Sequence, residues 1–187
     1  MFCVKRNKGF SLVEVMVVIT IMTILMMGAI SSFSFYQRNF AETRLTSLQN
    51  IIGYAQVVAR SQRTSVVICP VTPDSYIGTT DELNEDSLRC SGSSNWGNAE
   101  IVAFTNQSAN GVFDRNNDEI ISTLPTGRGN ISTTFNTDFI LISPVGFLNT
   151  TNASIIYCLN GDYLAALQVN MVGRVVYTTE NNNFNCN

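Results

Sequence analysis

Between Val13 and Ile30 the chain carries a single charged residue, Glu14, among Val, Ile, Met and Leu, and this run constrains the rest of the fold. A continuous helix from Phe10 to Ile30, rising about 1.5 Å per residue, covers about 30 Å and matches a bilayer core. Lys5, Arg6 and Lys8 precede the run, and no lysine follows Lys8. Basic residues on that side predict a cytoplasmic N-terminus, with the rest of the chain outside and membrane lipid as a partner. A secretory signal peptide has its small-residue cleavage site after the apolar core. Gly28, Ala29 and Ser31 offer that alternative, and a plain transmembrane anchor is a second.

Glu14 lies about one turn inside the run, where an unpaired carboxylate costs on the order of 2.5 to 3.5 kcal/mol at the membrane centre and less near its edge. The first turn of a helix offsets part of this, because its free N–H groups and dipole favour negative charge. An ammonium freed at Phe10 by cleavage would supply a partner, in the same chain or in a neighbour.

Lys8-Gly9-Phe10-Ser11-Leu12-Val13-Glu14 followed by an apolar run resembles the class III signal of type IV pilins and pseudopilins. The resemblance implies that a prepilin peptidase cuts after Gly9, that Phe10 is N-methylated, and that Glu14 becomes the fifth residue of the mature chain and serves assembly. It also implies a single-pass inner-membrane protein with its head in the periplasm, partnered by other pilin or pseudopilin subunits and an inner-membrane assembly platform. Glycine lets a peptidase approach the backbone closely, and a buried glutamate favours only a packing that brings an ammonium to it, so the pair acts as a register device.

Beyond the run the helical pattern turns amphipathic. Phe40, Ala41, Leu45, Leu48, Ile51, Ile52, Ala55, Val58 and Ala59 recur at three- and four-residue spacing, with Arg38, Glu42, Arg44, Gln49, Gln56, Arg60 and Arg63 filling most of the remainder. No proline interrupts before Pro70, so one helix is expected from about Phe10 to about Gln62, with Gly28 and Gly53 as sites of bending. After Arg63 come short β-branched or aromatic runs at 65–69, 100–105, 139–143, 153–159, 164–170 and 174–179, separated by turn-rich stretches such as 106–111, 115–118 and 126–130. The expected fold class is α+β, a long N-terminal helix on one or two antiparallel sheets. The expected parts are a leader at 1–9, a transmembrane and polymerisation helix at 10–34, its amphipathic continuation at 35–63 and a β-rich head at 64–187.

The composition, 45% apolar and 13% charged, suits a globular or membrane-attached chain. No histidine is present, which removes Ser/His/Asp and Cys/His nucleophile pairs and histidine metal sites; neither an enzyme nor a cofactor is expected. After Gly9, eight arginines face fourteen acidic residues, a side-chain charge of −6 that disfavours polyanions overall.

Cys3 lies in the leader, leaving Cys69, Cys90, Cys158 and Cys186. An even set suits disulfides in an oxidising compartment, and the wide spacing lacks the close pairs of a zinc site. Four cysteines allow three pairings; the sequential one, Cys69 with Cys90 and Cys158 with Cys186, is the expectation.

Several pieces resemble the GspH/FimT family of minor pilins and pseudopilins. These are Ala59-Arg60-Ser61-Gln62-Arg63 leading into Val66-Val67-Ile68-Cys69, Cys90 ahead of Trp96-Gly97, Val102-Ala103-Phe104, the acidic turn from Val112 to Asp118, Ser143-Pro144-Val145-Gly146, Tyr157-Cys158 and Gly173-Arg174-Val175. The resemblance implies the pilin fold and a low-abundance structural subunit that helps to start, or sits near the tip of, a type IV pilus or a type II secretion pseudopilus. Some members bind DNA during natural transformation through a Gly-Arg-x-Arg element, which is the alternative function. Gly173 and Arg174 match that element, but Val176 replaces its second arginine and removes a phosphate contact.

Asp114, Asn116 and Asp118 have the first spacings of a calcium loop, yet Glu119 and Pro125 stand where its glycine and closing glutamate belong, so an Asx-rich turn is expected. The acidic stretch from Asp81 to Asp86 reads as a solvated loop or, alternatively, a docking surface. Trp96 is expected in the core at a sheet edge.

Overall fold

The computed structural model describes residues 11–72, 83–84, 88–135, 137–180 and 184–186, with the side chains at 28–34 outside that description. Gly9, Phe10 and most of the acidic stretch from Asp81 to Asp86 therefore lie outside the described residues. Two compact units emerge, Met1–Asn39 and Phe40–Asn187.

A single helix, α1, covers Leu12–Gln62, close to the expected limits, and neither Gly28 nor Gly53 ends it. It begins where the Ser11 carbonyl accepts the Val15 N–H at 3.2 Å. It stops because Arg63 turns to a positive φ of 54°, which lets the Thr64 N–H bond back to the Ala59 carbonyl at 3.3 Å. That six-to-one bond is the Schellman ending, here without its usual glycine. Among the described residues no helix is long and apolar enough to cross a membrane. The expected crossing, 10–34, extends past the described side chains at both ends.

In the second unit the chain continues as strands β1 (Val66–Pro70), β2 (Asn95–Gly97), β3 (Ile101–Thr105), β4 (Ile120–Leu124), β5 (Asn130–Thr133), β6 (Ile140–Ile142), β7 (Asn152–Leu159), β8 (Asp162–Asn170) and β9 (Val175–Thr178). They form two sheets, ordered β4-β3-β1-β6 and β2-β5-β7-β8-β9, and every pairing is antiparallel. All six expected strands are present. β2, β4 and β5 were not expected, and β5 starts at Asn130, the last residue of a stretch read as a turn.

The main core forms where Ala41, Leu45, Leu48, Ile52, Ala55 and Ala59 of α1 meet the inward faces of both sheets, including Ile68, Ala103, Ile155, Tyr157 and Leu167. β1 is buried on both faces: Val66 and Ile68 join this core, while Val67 and Cys69 join a second cluster with Leu88, Val102, Phe104 and Phe113. A third cluster, Ile156, Cys158 and Ala166, lies on the outward face of the five-stranded sheet beneath Tyr163, Phe184 and Cys186. Trp96 sits on edge strand β2 at 2% exposure, its Nε1–H donating to the Asp138 carbonyl at 3.3 Å.

Candidate functional site

Every described side chain from Ser11 to Met27 is exposed, and Glu14 is the acidic residue of the first turn of α1. The hydroxyls within this run turn back on their own helix. Thr20 Oγ1 donates to the Met16 and Val17 carbonyls at 2.8 and 2.9 Å, and Thr23 Oγ1 to the Thr20 carbonyl at 2.9 Å. Such internal bonding leaves these groups satisfied in apolar surroundings, where no water would serve them. Glu14 is therefore the one ionisable group that this stretch presents to whatever surrounds it.

The cysteines pair as Cys69–Cys90 and Cys158–Cys186. Cys69–Cys90 ties β1 to the chain ahead of β2, where Val71 also bridges Cys90. Cys158–Cys186 holds the end of the chain against the outward face of the second sheet, where Phe184 stacks on Tyr163 with ring centroids 5.5 Å apart. Burial pushes the Tyr163 phenol up, with Tyr177 and Glu180 adding to the shift, and its hydroxyl donates to the Thr178 and Glu180 carbonyls at 3.2 and 3.0 Å.

Gly173 and Arg174 form the turn between β8 and β9, with Gly173 at φ 81°. Gln56 of α1 explains the glycine: its Nε2 donates to the carbonyls of Gly146 and Val172 at 2.8 and 3.1 Å, and a Cβ on Gly173 would collide with that amide. One turn on, Arg60 Nε donates to the Val145 carbonyl at 3.3 Å. The Ser143-Pro144-Val145-Gly146 and Gly173-Arg174 motifs thus meet on one helix face, and their glycines allow the close approach. Arg174 itself is exposed, its N–H held by Asn170 Oδ1 at 2.8 Å, and Val176 beside it is 45% exposed.

The acidic turn is built by side-chain bonds to backbone. Asp114 Oδ1 accepts from the Asn116 N–H at 3.0 Å and Oδ2 from Asn117 Nδ2 at 2.7 Å. These bonds hold the exposed Asp114 carboxyl below its ordinary value, the Asn117 side chain contributing most. Asp118 accepts from the N–H groups of Gln107 and Asp114. Among the described residues no group of three or more His, Cys, Asp or Glu is placed to hold a metal.

Two residues escaped the sequence reading. Arg44, read as part of the polar face, is only 8% exposed. Its Nη1 donates to the Pro125 carbonyl and its Nη2 to the Ala99 carbonyl at 3.3 Å, while a Cβ on Gly127 would sit 3.0 Å from its Cζ. Burial lowers the Arg44 guanidinium from its ordinary value, and nearby Tyr157 acts in the opposite sense. Its spacing, three after Ala41 and four before Leu48, was the available signal. Asn106 is fully buried; its Oδ1 accepts from the Asn110 and Gly111 N–H groups and its Nδ2 donates to the Val112 carbonyl and Asp118.

Residues 4–30 match the prokaryotic N-terminal methylation motif, and residues 45–173 match the type II transport protein GspH. No curated protein matches the chain. Among solved structures the chain is similar to the type IV minor pilin FimU of Pseudomonas aeruginosa. For its P21 crystal form the identity is 16% and the TM-score 0.52, over 77% of this chain and 92% of that one. For the P65 form the identity is 16% and the TM-score 0.49, over 73% and 91%. At this identity the P21 likeness bears on fold alone, and the fold is that of a pilin: a long helix followed by antiparallel sheets. The GspH match spans well over half of the sequence and lies C-terminal to the methylation motif, and the chain belongs to the GspH family.

Proposed function

We propose that this chain is a minor pilin or pseudopilin, a structural subunit that helps to start, or sits near the tip of, a type IV pilus or a type II secretion pseudopilus. The observation that carries the reading is the exposed apolar stretch Leu12–Met27 with one carboxylate in its first turn, within a matched N-terminal methylation motif. An exposed apolar surface of this length requires lipid or neighbouring helices to cover it. In this reading a prepilin peptidase removes residues 1–9, Phe10 is methylated, and the new ammonium meets Glu14 as subunits stack. The helix anchors the subunit in the inner membrane, with the head in the periplasm, until the assembly platform passes it into the filament. The role is mechanical, through helix packing against other pilin or pseudopilin subunits.

Co-expression with a prepilin peptidase tests this. Mass spectrometry of the membrane-extracted protein should show a chain that begins at methylated Phe10. A chain that still begins at Met1, or one cut after Ser31, would overturn the reading.

A further inference from the structure

The outward face of the five-stranded sheet is treated in two ways along its length. Cross-strand register places Ile156 opposite Ala166 and Ala166 opposite Thr178, and the disulfide-tied chain end covers this part. The two preceding rows are left open. One consists of Asn152, Asn170 and Arg174: Asn152 faces Asn170, whose N–H bonds to the Arg174 carbonyl at 3.2 Å. The other consists of Ser154, Gln168 and Val176, in direct register. Together they line a groove of about 550 Å³. With strands about 4.8 Å apart and about 3.4 Å per residue, the grid measures about 10 by 7 Å.

We propose that this groove binds a carboxylated saccharide, such as a uronate-containing oligosaccharide. Three amides and a hydroxyl in these two rows, with the Thr134 hydroxyl beside them, offer donors and acceptors of the kind that adjacent sugar hydroxyls require. Arg174, at one corner, is suited to take a carboxylate through two parallel N–H bonds. Val176 provides an apolar spot for the C–H face of a ring. None of the described residues lining the groove is acidic, so Arg174 is its sole charge. Duplex nucleic acid is disfavoured because its affinity comes from neutralising several phosphates at once. An acidic peptide would need an apolar pocket for an anchoring side chain, and of the apolar residues along the groove, Ala153, Val169 and Val176, the first two are buried and only Val176 is exposed. The volume lies within the range of small-molecule sites. This proposal is independent of the filament reading, since it uses only the head.

The experiment is calorimetric titration of the full chain in detergent with trigalacturonate, alongside maltotriose, a single-stranded oligonucleotide and an acidic peptide. Trigalacturonate should bind saturably. Arg174→Ala, or replacing the ligand with uncharged maltotriose, should weaken binding by about tenfold or more, the loss of one charge-assisted contact. Gln168→Leu should weaken both sugars, and Arg128→Ala, an exposed arginine elsewhere, should change nothing. Circular dichroism and a non-reducing gel would establish that each variant keeps its fold. No saturable binding of trigalacturonate, binding indifferent to Arg174 and Gln168, or tighter binding of the oligonucleotide or peptide at the same residues would each overturn the assignment.

Discussion

Arg44 shows how a polar side chain can be placed by a core. Lying among Ala41, Leu45 and Leu48, it is drawn inward with its helix face, and its guanidinium is accommodated because the Pro125 and Ala99 carbonyls accept from it. The segment it binds links the two sheets, since β4 ends at Leu124 and β5 begins at Asn130. Arg44→Met keeps the bulk and removes the donors, leaving two carbonyls short of a partner. Urea unfolding of the variant should show a loss of about 2 to 3 kcal/mol, and a change below about 0.5 kcal/mol would mean that water replaces the guanidinium. Asp114 makes a prediction in pH. Its carboxyl is held below the ordinary 3.8 by the Asn117 and Asn116 bonds, so the folded state binds a proton less readily than the unfolded one. Its contribution is complete above that ordinary value and is lost as pH falls through the lower folded one. Asp114→Asn should therefore flatten the acid limb of a stability–pH profile below about pH 4 while leaving the neutral region parallel to the parent; an unchanged acid limb would assign that limb to other carboxyls.

Among the elements, the chain end depends on one covalent tie. Cys158–Cys186 closes a loop with a separation of 28 residues, and removing a cross-link of that span costs about 3.6 kcal/mol through unfolded-state entropy. Replacing both cysteines with alanine should lower stability by that amount. It should also raise hydrogen exchange at Ile156 and Ala166, which Phe184 and Cys186 now cover. Protection unchanged at those two residues would show that the Tyr163–Phe184 stack holds the tail alone. The helix and six of the strands were legible because each leaves a trace: apolar residues every three or four positions in α1, and short runs rich in apolar, mostly β-branched or aromatic, residues in β1, β3, β6, β7 and β9, with an apolar Leu-Ala-Ala-Leu run in β8. β2 has three residues, one of them Gly97, and owes its place to the burial of Trp96, which is not a periodic signal. β5 begins with Asn130 after a glycine-containing stretch, so turn chemistry masked it until pairing with β7 set its register. β4 carries only a half-buried pattern and a register shift opposite Ala103 and Phe104. The disulfide pairing, the Asx-rich turn and the placement of Trp96 agree with the sequence reading. The groove could not be read in advance, because Asn152, Asn170 and Arg174 are brought together only by strand register.

On the scale of the whole molecule, the exposed stretch of α1 and its carboxylate pull in opposite directions. Exposures from 46% at Val15 to 75% at Leu12 leave a surface that lipid would cover readily, whereas an unpaired Glu14 opposes burial by up to about 2.5 to 3.5 kcal/mol. If membrane residence were the purpose of the segment, Glu14→Leu would be an improvement. If the carboxylate fixes the stagger between neighbouring subunits by meeting the Phe10 ammonium, the same change leaves that ammonium without its partner, and helices could slide past one another at little cost. The two roles therefore separate in one experiment: the leucine variant, expressed with its assembly machinery, should match or exceed the parent in the membrane fraction and be depleted from sheared filaments. Glu14→Gln should behave alike, since it keeps the shape and loses the charge, whereas Glu14→Asp should retain part of the incorporation. Leucine and glutamine variants recovered in filaments at parental levels would show that apolar packing alone sets the stagger.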